Sequence, residues 1–212
     1  IFMTYEDFYR LRIKKETLTH YLYYLSENDD LIEGKKLDNF INKLNKTNST
    51  NQGKTREEIY FEDLNIDSIV IDEVHIYKNS KELFSTMNAK YLSIPPISMK
   101  GLDAQVKCWY VRQYNKKHFG KEEGVVGLTA TPLTNSPLEY YSLLSLVIGE
   151  ETLNALTGLS GTSEFMQATC EIENEEDYSV DGEEKVFEVF KGIKNLSILR
   201  PILFKLITFL GQ

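Results

Sequence analysis

Ser68-Ile69-Val70-Ile71-Asp72-Glu73-Val74-His75 is the stretch on which the reading of this 212-residue chain turns. Ile69-Val70-Ile71 is a run of three β-branched residues, the composition of a short, fully buried strand. Asp72 and Glu73 then fall at its carboxyl end, where open α/β sheets place their ligand chemistry. Two adjacent carboxylates there suit a Mg²⁺–nucleotide site, with one holding the metal and the other orienting or deprotonating an attacking water. A strand that simply runs into an acidic turn is the plain alternative.

A second stretch, residues 124–148, has the same form. Val125-Val126-Gly127-Leu128 reads as another buried strand, and Thr129-Ala130-Thr131-Pro132 turns away at its end. Thr129 and Thr131 have two readings. They are turn hydroxyls that satisfy backbone groups, or hydroxyls at a sheet edge that bond a neighbouring acidic or histidine side chain. Ser136, Pro137 and Glu139 then give an N-cap, a proline at the first helical position and a capping box. The helix they start carries Leu138, Tyr141, Leu144 and Leu146.

Composition sets the outer bounds. Hydrophobic residues make up 42% of the chain, enough for a sizeable core. The net charge of −8 argues against a domain whose main task is to grip nucleic acid by itself. No apolar run approaches the roughly 20 residues of a membrane span and no signal peptide opens the chain, so a cytoplasmic location is expected. Cys108 and Cys170 stand far apart without a CxxC, which speaks against zinc and against a disulfide framework.

In chain order, Ile1–Thr4 reads as a strand and 5–8 as the turn leaving it. Residues 14–46 show helical spacing, broken near Asn28 and Gly34. This predicts a helical hairpin standing off the sheet, followed by an Asn-rich loop to Lys54. Gly53-Lys54-Thr55 mimics the tail of a phosphate-binding loop. Asn48 stands where the motif needs Gly, and no strand precedes it, so it is not read as the phosphate site. Phe61–Leu64 is a short helical turn. Residues 101–118 form a helix with Leu102, Val106 and Trp109 on one face, Trp109 being core rather than a base-stacking platform. His20 and His118 have no ligand-spaced companions. Residues 171–181 are an acidic loop or edge hairpin, and 195–210 an apolar helix that Pro201 should kink or restart.

Asp72-Glu73-Val74-His75-Ile76-Tyr77-Lys78-Asn79 is similar to the D-E-A-H-x-x-K-N form of SNF2-like ATPases. Leu128-Thr129-Ala130-Thr131-Pro132-Leu133-Thr134-Asn135 resembles their L-T-G/A-T-P-x-x-N segment. Met3-Thr4-Tyr5-Glu6 and Leu199-Arg200-Pro201 resemble two flanking motifs. The pattern is that of superfamily 2 helicases and translocases, with further likeness to large DNA methylase–helicase proteins of phages and mobile elements.

The resemblance implies an α/β fold: a RecA-like parallel sheet flanked by helices, the incomplete first lobe. Residues 1–148 would be that lobe, with 14–54 as an insertion, and 149–212 a mainly helical extension closing it. It implies ATP and Mg²⁺ as cofactors, Asp72 as metal ligand, Glu73 as catalytic base, and His75, Thr129 and Thr131 as the coupling to DNA, expected to be double-stranded. The phosphate loop and a second lobe would lie outside residues 1–212, leaving the piece inactive alone. Two other classes remain: a degenerate lobe serving as a scaffold or docking module, and a metal-dependent hydrolase built on Asp72, Glu73 and His75.

Overall fold

The computed structural model describes residues 1–28, 59–81, 89–90, 92, 97–131, 136–178 and 184–206. Its fold class is mixed α/β. The expected strand over Ile1–Thr4 is replaced by a helix start. The Thr4 hydroxyl accepts the Asp7 N–H at 3.1 Å and donates to the Asp7 carboxylate at 2.7 Å, capping α1, Tyr5–Arg10. Helix α2, Lys15–Asn28, presents Leu18, Tyr21, Leu22 and Leu25, which pack on Leu102, Val106 and Trp109 of α3, Met99–Phe119. Burying a leucine such as Leu22 contributes about 1.5–3 kcal/mol. This first part of the expected hairpin therefore does not stand off the sheet; it is core. Trp109, 8% exposed, meets Tyr21 edge-on at 5.6 Å and is core as expected. The remainder of the hairpin, the Asn-rich loop and Gly53-Lys54-Thr55 lie outside the described residues.

A single turn of 3-10 helix, Phe61–Leu64, leads into strand β1, Ile69–Ile71. Strand β2, Val125–Gly127, pairs with it in parallel, Ile69 opposite Val125 and Ile71 opposite Gly127, and α3 makes the crossover between them. Ile71 and Val125 face the core with Val74, Tyr77, Ala104, Cys108 and Val111. Val70 and Val126 point to the other face and are 67% and 50% exposed. The expectation of fully buried strands thus fails for a definite reason: among the described residues helices cover one face only, so burial alternates. Among the described residues the parallel sheet is this pair, and a full RecA-like sheet is not shown. The amino ends of both strands hang on Asn115 of α3, whose amide donates to Asp67 O and Glu123 O, each at 2.7 Å. Gly124 passes beside it with φ +116.

Helix α4, Pro137–Ile148, is buried on nearly every side. It packs Leu143 and Leu146 toward the sheet, and Tyr140, Tyr141 and Leu144 toward Leu153, Phe165, Leu199 and Ile202. Those residues belong to α5, Glu150–Thr157, α6, Thr162–Thr169, and α7, Leu196–Leu206. The segment expected to be mainly helical contains a long antiparallel hairpin, β3 Cys170–Tyr178 and β4 Glu184–Ile193, one of the two forms considered for 171–181. Helix α7 runs through Pro201 without a restart. No helix among the described residues is long and apolar enough to cross a membrane.

A Cβ at position 124 would stand 2.4 Å from Asn115 Nδ2 and 2.5 Å from Asp67 O, at a φ that side chains avoid. Gly124→Ala is expected to destabilise the protein by about 1–3 kcal/mol, the usual cost of a forced backbone outlier. The urea midpoint measures this; an unchanged midpoint would show that the strand entries are not clamped there.

Candidate active site

The two strands end side by side, so Asp72-Glu73 and Thr129-Ala130-Thr131 meet at one sheet edge. Their backbones are joined directly: Leu128 N–H donates to Ile71 O and Val74 N–H to Leu128 O, both at 2.8 Å. This second bond, with a turn of 3-10 helix over Val74–Tyr77, bends the chain back at Glu73. The bend forces Glu73 into the left-handed region, φ 47, ψ 50, which a glycine or asparagine tolerates and a glutamate does not favour. Gly127 makes room, since a Cβ there would come within 3.0 Å of Val74 Cγ1.

Side chains then connect the two turns. His75 Nδ1 lies 3.1 Å from Glu73 Oε2 and 3.0 Å from Thr129 Oγ1. A carboxylate only accepts, so the imidazole proton belongs on Nδ1 and is shared between the two oxygens. Thr129 Oγ1 also accepts the Thr131 N–H at 3.1 Å. A hydrogen-bonded path therefore runs from the Glu73 carboxylate through His75 and Thr129 to the Thr131 backbone. Of the two hydroxyls singled out in the sequence, Thr129 joins this path by its side chain and Thr131 by its N–H.

Asp72 and Glu73 are exposed. Asp72 accepts the Glu73 N–H at 3.0 Å on Oδ1. Among the described residues no group of three His, Cys, Asp or Glu is placed to hold a metal ion. Mg²⁺ needs only one or two carboxylates beside water and phosphate oxygens, and an exposed Asp72 meets that need.

Two contributors were missed by reading the sequence. The Tyr5 hydroxyl donates to the Asp72 carbonyl at 2.7 Å, and its ring meets Tyr77 edge-on at 6.3 Å. Lys78, half-buried, reaches Glu139 Oε1 at 3.1 Å. The capping box expected for Ser136 and Glu139 does not form: Ser136 makes no side-chain cap, and the Glu139 carboxylate is turned to Lys78. The spacing that signals a capping box was present, but a charged partner remote in sequence outbid the backbone N–H. His20 and His118 lie instead along a groove with Tyr110, Tyr114 and Lys117, and the His118 ring lies against Tyr114, 4.3 Å between centroids and tilted by 35°. Cys108 and Cys170 are buried thiols that burial pushes up to about 12 and about 11, too high for a nucleophile.

No protein-family model matches the sequence. No solved structure matches it either. A protein of Escherichia phage P1, named Defense against restriction protein B, is 31% identical over 160 residues, which is 75% of this chain and 7% of that protein. The chain thus spans a small part of its relative's length. These findings overturn the assignment to the superfamily 2 helicases: no helicase family is matched, and a first lobe of the SNF2-like type is not shown.

The strain at Glu73 gives a direct test of whether local stability or the carboxylate governs this position. Glu73→Gly is expected to leave the unfolding midpoint unchanged or to raise stability by up to about 1 kcal/mol, because the relief of a left-handed residue outweighs a half-exposed hydrogen bond. A loss beyond about 1 kcal/mol would show that the Glu73–His75 pair holds the turn.

Proposed function

We propose that this chain forms part of an ATP-driven motor that moves along or unwinds DNA. Its site residues would be Asp72 for Mg²⁺, Glu73 for the hydrolytic water, and His75, Thr129 and Thr131 for coupling. The observation that carries the reading is the strained Glu73 carboxylate at the edge of a parallel sheet, wired through His75 to the Thr129 turn. Strained backbone that persists in a folded protein is concentrated at functional sites.

In this reaction water attacks the terminal phosphorus of ATP, its proton passes to Glu73, and ADP leaves. Glu73 orients the water, and the His75 Nδ1–H holds the carboxylate's second oxygen. Mg²⁺ bound at Asp72 would neutralise charge on the phosphate oxygens. Hydrolysis would alter the charge beside His75, and Thr129 would pass that change to its turn. The phosphate-gripping lysine comes from outside these residues in this reading, so residues 1–212 alone are expected to turn over little ATP. The two strands would be the centre of a larger RecA-like sheet. Parallel sheets are normally covered on both faces, and the open apolar face of Val70, Val126 and Leu128 accords with that. The name of the phage relative speaks of defence against restriction, and on that ground DNA is taken as the polymer. The exposure of Asp72 and Glu73 keeps one other reading alive, a non-catalytic docking lobe.

The test is ATP turnover by the full-length protein with and without double-stranded DNA. DNA-stimulated turnover is expected, falling by about 100-fold or more in Glu73→Gln, the usual scale for losing a general base. Turnover that is absent, or indifferent to Glu73→Gln, would leave the docking lobe.

A further inference from the structure

We infer that Lys78 and Glu139 are positioning residues, a shielded clamp that sets the Glu73 turn against the Thr129 turn. The inference rests on the reading of Glu73 as the base.

The clamp is defined by where its ends sit. Lys78 directly follows the 3-10 turn that begins at Glu73, and Glu139 lies in the first turn of α4, the helix that follows the Thr129–Thr131 turn. Val74 N–H to Leu128 O and His75 to Thr129 join the near ends of the two turns. The 3.1 Å contact of Lys78 Nζ with Glu139 Oε1 ties the end of the Glu73 turn to α4, which packs on the sheet through Leu143 and Leu146.

The links differ in exposure. His75 is 34% exposed and competes with water, whereas Glu139 is wholly buried. A buried ion pair is a poor choice for stability alone, because apolar residues of similar volume do as well or better. Apolar residues at both 78 and 139 would avoid the desolvation cost. What the pair supplies is geometry: a charge-assisted contact of defined length and direction between two loops.

The same segment is pinned further along. The Ser80 hydroxyl accepts from the Gln105 amide of α3 at 2.7 Å. Lys81 pairs with the buried Glu150 of α5. Residues 78–81 thus form a strap anchored to three helices, and Lys78 is the point where the strap meets the site. A shift of α4 relative to the sheet is passed through Lys78 to the turn that carries Glu73. The His75–Thr129 path and the Lys78–Glu139 clamp are two routes from the Glu73 turn to the β2–α4 side, one hydrogen-bonded and solvated, the other ionic and shielded at its Glu139 end.

The experiment uses the full-length protein and the variants Glu139→Gln, which keeps shape and an acceptor, Lys78→Met, and the swap of Lys78→Glu with Glu139→Lys. Two readouts are taken: kcat and KM for ATP with DNA, and amide exchange at Val74 and Thr131, whose N–H groups close the turns. In Glu139→Gln, kcat is expected to fall by about tenfold with KM changed less than about threefold, the signature of a base held out of line rather than of lost binding. Exchange at both amides is expected to quicken by about tenfold while core amides of α3 keep wild-type rates, which separates a loosened site from a loosened fold. The swap restores part of both. Wild-type kcat and wild-type exchange at Val74 and Thr131 in Glu139→Gln, whatever happens to the unfolding midpoint, would make the pair a structural contact and overturn the inference. If the wild-type protein shows no turnover, the motor reading fails separately, and the exchange rates alone decide whether the clamp joins the two turns.

Discussion

The structure depends on one helix being surrounded. Helix α3 meets α2 through Leu102, Val106 and Trp109, and the sheet through Ala104, Cys108 and Val111. Much of the rest of its circumference is polar, and several of those polar side chains reach a neighbour. Lys107 donates to the Phe8 carbonyl in α1, Gln105 to Ser142 O of α4 at 2.9 Å, Arg112 to Leu146 O at 2.5 Å, and Asn115 to the carbonyls that enter β1 and β2. Such donors satisfy carbonyls that helix ends and strand entries leave open, and they fix direction where apolar packing fixes only proximity. Lys107 shows the cost: burial pulls its ammonium below the ordinary lysine range even beside Asp103 at 2.6 Å, with the Phe8 ring 4.5 Å away. Asp103 in turn is pushed up to about 7 by burial, against the pull of Lys107.

That arrangement places the candidate site. Asn115 aligns the amino ends of the strands, and three-residue strands leave little room for slippage, so their carboxyl ends fall level. Level ends bring the two turns within hydrogen-bond distance, and Tyr5 arrives from α1 to bond the Asp72 carbonyl. Each of these contacts is made by a residue whose backbone is held elsewhere. The site is therefore rigid in its frame while Asp72 and Glu73 remain open to solvent and to a ligand.

Local signals in the sequence were readable and remote ones were not. The two β-branched runs, the helical turn at Phe61, and the proline at the start of α4 each follow from neighbours within a few positions. The meeting of His75 with Thr129 followed from placing both at strand ends. Thr4 shows a misread local signal: Thr-Tyr-Glu-Asp carries the cap spacing, but the apolar Ile1-Phe2-Met3 before it favoured a strand. Tyr5 to Asp72, Lys78 to Glu139 and Lys81 to Glu150 join positions far apart in the chain, and no periodicity announces them. Helix α3 hides its own contacts in the same way, because a helix contacted on all sides shows no single apolar stripe. The exposed face of Val70 and Val126 went unseen because composition gives the character of a strand and not the number of layers that cover it.

The conflict at Glu73 shows what the local frame is for. A glycine there would satisfy the backbone, and an asparagine would tolerate it, yet neither brings a carboxylate to the edge of the sheet. Sequences that fold well agree at every level, from residue preference to packing, and departures from that agreement fall where something other than stability is being held. Here the departure is surrounded by contacts that compensate for it: Tyr5 on the carbonyl before it, Val74 N–H on Leu128 just after it, and His75 on the carboxylate itself. A glutamate needing that much support is a glutamate whose direction matters. The direction is the one quantity that the exposed pair cannot secure alone, and it is secured by the contacts of Tyr5, Val74 and His75.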